Sequence, residues 1–218
     1  MWHDRLVFVL TLDQRHSRTG PDRVPELLAA LSGVPTVAAF ERTAGDEVQA
    51  LLDEPAAVRQ ALLAALRLDG WHCGLGVGGV EEGSWAEGTR SGRGPAYLAA
   101  REAVEASAAD GTPVAVRVPD GSEKDAARWA SDTEAVWTLV AELVTTRTDA
   151  QWRVVDAVDA ADTQAAAAET LDVRPTSVAG ALRRARVREE RAAHPVLDRL
   201  LAGTAEALDA GAGVRGTR

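Results

Sequence analysis

The chain contains no asparagine and no isoleucine, and Lys124 is its single lysine. These residues use AT-rich codons, so a GC-rich coding sequence accounts for the bias. It also limits the chemistry: no asparagine is available to orient a substrate, and the one lysine falls in a polar stretch. One cysteine, Cys73, excludes an internal disulfide and fits a reducing compartment. Aromatics are only 4% of residues, and the apolar share is mostly Ala, Val and Leu. Near the start the apolar run spans only Leu6 to Leu12, too short for a signal-sequence core or a bilayer span. A cytoplasmic protein without a membrane segment is the expectation.

What is present is enough for one large domain or two small ones, at 218 residues and 46% hydrophobic content. Net charge is −9, which argues against indiscriminate coating of nucleic acid. The charge is uneven. Residues 174–191 hold six arginines against Glu189 and Glu190, and residues 192–218 sum to zero, so residues 1–173 carry −13. An acidic body therefore carries one basic segment.

Leu6–Leu12 reads as a central strand buried on both faces. Pro21–Leu31 reads as a helix with proline near its start, and Val37–Thr43 with Val48–Leu52 as a hairpin. A strong helix follows over Pro55–Leu68, then a glycine-rich strand over His72–Val80. Gly83–Pro95 reads as a loop without core residues, Tyr97–Ala109 as a helix and Pro113–Val118 as a last strand. The order β-α-β-β-α-β is that of a ferredoxin-like domain. The crossover rule makes the first two strands parallel with the third between them. The end of the first strand and the hairpin tip then share one sheet edge, so Asp13 and Asp46 are expected to be neighbours.

Beyond residue 120 the pattern is helical. Residues 121–132 read as a linker and 133–218 as an all-α domain, with a helix-turn-helix over 163–187. Ala167 and Leu171 are expected to face inward, Val173 to plug the turn, and Val178 and Leu182 to anchor the second helix. Asp172 stands where glycine is usual and tolerates a left-handed backbone. The second helix would place Thr176, Ser177, Gly180 and Arg183 near base edges in double-stranded DNA. Arg184, Arg188 and Arg191 would form a phosphate-facing stripe. A three-helix dimerisation unit with solvated arginines is the alternative.

Other candidates are weaker. The four histidines show no ligand spacing with Cys73, which disfavours zinc. GLGVGGVEEG mimics a dinucleotide fingerprint without the helix that should follow it. Trp129, Trp137 and Trp152 suit packing between helices better than stacking on bases.

The segments LTLDQRHSR (10–18), AGDEVQALL (44–52), GLGVGG (74–79) and GPAYLAAREAVE (94–105) together resemble the SatD family. More distantly they resemble the palm-like domain of class III nucleotidyl cyclases. TDAQWRVVDAV and TQAAAAETLDVRPTSVAGALRRA are similar to the family's DNA-binding tail. The resemblance implies an α+β protein: a ferredoxin-like, palm/cyclase-like domain over 1–120, followed by an all-α helix-turn-helix domain. It implies Mg²⁺ on Asp13 and Asp46 over nucleotide phosphates, with Arg101 in the place of the cyclase arginine. Ser17 and Arg18 would cradle phosphate beside the carboxylates. The cyclase asparagine is replaced by Tyr97, so binding is expected more than catalysis. The expectation is a homodimeric transcriptional regulator whose N-terminal domain senses a ligand, with a Mg²⁺-bound nucleotide as the candidate, or mediates dimerisation. A nucleotidyl transferase or cyclase-like enzyme and a protein-interaction scaffold are the alternatives.

Overall fold

A computed structural model describes residues 6–215, with side chains up to Gly211. It is a mixed α and β structure with one five-stranded sheet and eight α-helices among the described residues. The elements are β1 Val7–Gln14, α1 Val24–Leu31, β2 Ala38–Arg42, β3 Glu47–Leu52, α2 Pro55–Leu68, β4 Trp71–Gly78, α3 Pro95–Asp110 and β5 Val114–Arg117. Then come α4 Lys124–Thr145, α5 Asp149–Asp159, α6 Gln164–Thr170, α7 Pro175–Arg184 and α8 Val187–Arg215.

Strand order is β2-β3-β1-β4-β5. β3 lies between β1 and β2, antiparallel to both, as the crossover argument requires. β4 runs antiparallel to β1 on the other side, and β5 is added parallel to β4. Val7 to Leu12 are buried without exception, which is why this strand is apolar at consecutive positions rather than alternating. One sheet face contributes Phe8, Leu10 and Leu12 to a large core with α1, α2, α4 and α8. The other contributes Val7, Val9 and Leu51 to a smaller core under α3.

The glycines of β4 are explained by α3. A Cβ at Gly74 would sit 2.2 Å from the Val104 backbone nitrogen, and one at Gly76 2.2 Å from the Ala96 carbonyl oxygen. Glycine on the strand and alanine on the helix (Ala96, Ala100, Ala103) let the two backbones approach closely. Proline opens α1, α2, α3 and α7 in their first turns, where its missing N–H is no loss.

Three expectations are corrected. Residues 121–132 are not a linker, because α4 begins at Lys124 and buries Ala126 and Ala130 in the sheet's main core. α8 returns to that core through Leu197, Leu201 and Leu208, so both helices belong with the sheet and only α5 to α7 stand apart. The 83–95 loop does hold core residues: Thr89 is fully buried beside Tyr97, and Trp85 packs on the α3-side core. No helix among the described residues is long and apolar enough to cross a membrane.

Candidate functional site

The C-terminal end of β1 opens into a cleft of about 940 Å³. It is lined by Asp13, the loop from Gln14 to Gly20, Asp22, Arg42, Gly45, Asp46 and His72. The β-register sets Asp13 opposite Glu47 on one side and His72 on the other. Asp46 sits in the β2–β3 turn beside Gly45, whose φ of 56° glycine adopts without strain, and its carbonyl accepts from the Gln14 N–H (3.2 Å). Half-burial, with the negative charges of Asp46 and Glu47 adding to it, pushes the Asp13 carboxyl up to about 6.

The loop is held from within. The buried Gln14 side chain donates to Pro21 O (2.7 Å) and accepts from the Arg23 N–H (2.8 Å). His16 takes a left-handed φ of 57°, and its carbonyl accepts from the N–H groups of Thr19 and Gly20. Ser17 and Arg18 ride on this turn and line the same cleft as the carboxylates. Asp22 is bound by Arg42 (2.6 and 2.7 Å), which holds its carboxyl below the ordinary range. His72 is held neutral to lower pH than usual by burial first, then by Arg15 and His16.

Arg101 is not brought to this cleft. It lies on the outer face of α3, 73% exposed and paired with Glu105 at 3.3 Å. Its expected role beside the two aspartates is corrected accordingly: α3 lays its alanine face on β4, and that turns Arg101 outward. Tyr97 is buried next to Thr89, its hydroxyl pushed to higher pKa chiefly by that burial. The Asp13/Asp46 pair is the only expected metal set, and no group of three or more metal-ligating side chains gathers among the described residues.

The second region is the α5–α6–α7 unit. Thr148 and Gln151 form a reciprocal capping box on α5, and Thr163 caps α6. Past the end of α6, Asp172 at φ 52° is the left-handed residue that turns the chain toward α7. Ala167, Ala168, Val178 and Ala181 are buried where the helices meet. Val173 does not plug the turn. It is 44% exposed, because the left-handed step at Asp172 carries the next side chain outward. Leu171 and Leu182 are only half-buried.

Thr176, Ser177, Arg183 and Arg184 are exposed on α7, and Gly180 is half-exposed. A second break, Arg186 at φ 54°, ends this helix before Val187, so Arg188 and Arg191 belong to α8 rather than to one continuous stripe. Arg191 is engaged by Asp159 of α5, which corrects its expected phosphate role. Arg183, Arg184 and Arg188 make no ion pair with described residues.

Sequence reasoning missed the junction between this unit and the sheet. Arg147, nearly fully buried, donates to Ala185 O at the end of α7 (2.8 Å) and pairs with Glu190 at 3.2 Å. Glu190 also holds His194, and Arg59 of α2 pairs with Asp198 at 2.8 Å. Arg67 of α2 pairs with Asp156 of α5 and lies 4.4 Å from the Trp152 ring, with Arg147 at 4.8 Å from the same ring. The i,i+4 spacing of Glu190 and His194 was readable in sequence; their partners 43 and 135 residues away were not.

No family model matches the chain, and no curated protein matches it either. The family comparison therefore lends the SatD resemblance no support. Among solved structures, the chain is similar to a regulator of polyketide synthase expression from Bifidobacterium adolescentis, at 16% identity over 98% of this chain and 82% of that one. The TM-score is 0.26, too low to establish a shared fold.

Proposed function

We propose that the chain is a DNA-binding transcriptional regulator of SatD-like type, whose N-terminal sheet is a ferredoxin-like, palm-like module that senses a ligand. The observation that carries this reading is the outer surface of α7 and the start of α8. Thr176, Ser177, Gly180 and Arg183 would meet base edges, while Arg184 and Arg188 take phosphates. The acidic body disfavours wrapping and leaves this segment as the attractive face. The order β2-β3-β1-β4 is the ferredoxin-like order with β5 appended, in keeping with a palm-like module.

The cleft supports the sensing half of the proposal. Asp13 and Asp46 suit Mg²⁺ carried in on nucleotide phosphates, since Mg²⁺ needs only one or two protein carboxylates in such sites. Ser17 and Arg18 stand ready for the phosphate oxygens. A physical route leads onward: Arg23 donates to the carbonyls of Leu68 and Asp69 at the end of α2, and Arg67 on that turn grips α5. A ligand that resets the 14–23 loop would bias the α5–α7 unit through these contacts, changing the spacing of recognition helices in a homodimer.

The test is binding to mixed duplex DNA across a salt series. The affinity should fall steeply with salt, and each arginine that neutralises a phosphate should contribute a slope of about −0.9. A flat salt response would return the arginines to solvent and favour a protein-interaction scaffold. Removal of both carboxylates, in Asp13→Ala/Asp46→Ala, should abolish any response to Mg²⁺ with ATP or GTP and leave ligand-free DNA binding intact.

A second reading, a nucleotidyl transferase or cyclase-like enzyme, is favoured by the convergence of Asp13 and Asp46 on one cleft. Mg²⁺-dependent release of pyrophosphate from ATP or GTP, abolished in Asp46→Ala, would establish it. The outward Arg101 and the core position of Tyr97 weigh against it.

A further inference from the structure

His72 enters the candidate cleft with its ring held from behind. It is the second residue of β4, half-buried, and directly opposite Asp13 in the antiparallel pairing of β1 and β4, so the two side chains stand on the same face of the sheet. Ser107 of α3 lies against the ring, fully buried, with its Oγ 3.4 Å from the His72 Nδ1. The Ser107 hydroxyl has a single proton and gives it to the Thr112 carbonyl at 2.6 Å. Toward His72 its oxygen can therefore only accept, and Nδ1 must carry the ring's proton. The Ser107 backbone adds a hydrogen bond of the same sense, favouring a proton on the ring.

A neutral imidazole has one N–H and one lone pair, so a proton fixed on Nδ1 leaves the lone pair on Nε2, at the opposite side of the ring. Burial, with the charges of Arg15 and His16, keeps the ring neutral to lower pH than usual. Nε2 has no partner among the described residues, and it is not sealed in. The side-chain nitrogens that are both buried and unpartnered there are the Arg15 Nε and the indole nitrogens of Trp71 and Trp137. His72 lines the same cleft as Asp13 and Asp46. The cleft thus presents a fixed, uncharged acceptor, open to solvent, next to Asp13.

We propose that His72 is the sugar-reading residue of this cleft, its Nε2 accepting a hydrogen bond from a ribose hydroxyl, so that ribonucleotides bind in preference to their deoxy counterparts. The assignment rests on the reading of the cleft as a Mg²⁺–nucleotide site. A lone pair repels phosphate oxygens and needs a donor, and in a nucleoside triphosphate the donors are the sugar hydroxyls and the base nitrogens. Distance chooses between them. Neighbouring strands lie about 5 Å apart, so a group at His72 is close beside whatever Asp13 holds. With Mg²⁺ and phosphate on Asp13 and Asp46, that group is the sugar, and the base edge lies farther out. Ser107 is a positioning residue, acting only through the ring it orients.

The experiment uses the full chain. With Mg²⁺ present, binding of ATP and GTP is compared with that of their 2′-deoxy and 3′-deoxy forms. At least one deoxy form should bind about three- to tenfold more weakly than its ribonucleotide, the worth of one neutral hydrogen bond. In His72→Phe that preference should vanish. In the ligand-free chain, ¹⁵N spectra of the histidine rings should show His72, identified from His72→Phe among four histidines, with Nδ1 protonated and Nε2 bare. Ser107→Ala should mix the two tautomers and reduce the sugar preference without changing affinity for the deoxy form. A proton found on Nε2 in the wild-type chain overturns the proposal. Equal binding of ribo- and deoxynucleotides overturns it too and leaves the nucleotide-sensing reading standing, whereas binding of no nucleotide with Mg²⁺ removes both. If His72→Phe fails to fold, the wild-type sugar comparison still decides.

Discussion

The sheet body and the α5–α7 unit are held by different forces. In the body, large aliphatic side chains from β1, β3 and β4 meet α1, α2, α4 and α8 in one continuous core, with Leu10, Leu12, Leu62, Leu75 and Leu197 fully buried. The α5–α7 unit has the smaller Val155, Val178, Ala185 and Val187, with parts of Trp152 and Leu182, plus the alanines where α6 meets α7. A core built largely of alanine removes little apolar area from water. The unit is placed instead by charged tethers: Arg147 on the end of α7, Arg67 on Asp156 and Arg191 on Asp159. Substitutions in the body should therefore act globally, whereas those at the tethers should release the unit and leave the sheet folded.

The largest effect is expected in the body. Leu12→Ala opens a cavity in the middle of the sheet and should cost about 4 kcal/mol, seen as a lower denaturant midpoint for every probe. If the α7 amides share that destabilisation, the unit cannot persist alone.

Next in size is Arg147→Met. It removes the bond to Ala185 O and leaves Glu190, 6% exposed, with His194 as its remaining partner, at a cost of about 3 kcal/mol. Hydrogen exchange should show α7 amides exchanging faster while β1 amides stay protected. Equal deprotection of both would erase the distinction between body and unit.

A smaller effect on stability, but a large one on function, is expected from replacing Arg183, Arg184 and Arg188 with alanine together. The melting temperature should hardly move, because all three are exposed. The salt slope for DNA binding should flatten by about 2, close to one for each phosphate that Arg184 and Arg188 no longer neutralise, and the loss of Arg183 should relax base preference.

The smallest is the pH effect of Asp13. Its carboxyl titrates near 6 in the folded chain against an ordinary 3.8, so the folded state holds this proton to higher pH than the unfolded chain. Ionisation therefore opposes folding: stability falls as pH rises from about 4 to about 6, and the full penalty remains above that. Asp13→Asn should be more stable than wild type at pH 7, with the difference fading below pH 4. A difference that persists at pH 3 would point to altered packing rather than charge.

Much of the body was legible. Proline and the 3.6-residue apolar period mark α2, and the unbroken run at Leu6–Leu12 marks a strand buried on two sides. The approach of Asp13 to Asp46 followed from strand connectivity alone. The start of α4 was hidden because only Ala126 and Ala130 face the core there, and a polar helix with alanine contacts reads as a linker. A final helix ending near Leu208 was readable, but its return to the sheet core through Leu197, Leu201 and Leu208 was not. The left-handed step at Asp172 was readable from residue type, whereas the outward turn of Val173 depends on how α6 and α7 meet. Arg147 and His72 carried no local signal, since their significance lies in partners set by tertiary packing.

The central claim is that the exposed arginines of α7 and α8 serve a DNA-reading surface. Selection of the purified chain against a random duplex library at near-physiological salt tests it most directly. The predicted result is an enriched motif, arranged as two half-sites about 10 bp apart or a multiple of that, as a symmetric pair of recognition helices requires. No enrichment and no retained DNA would contradict it.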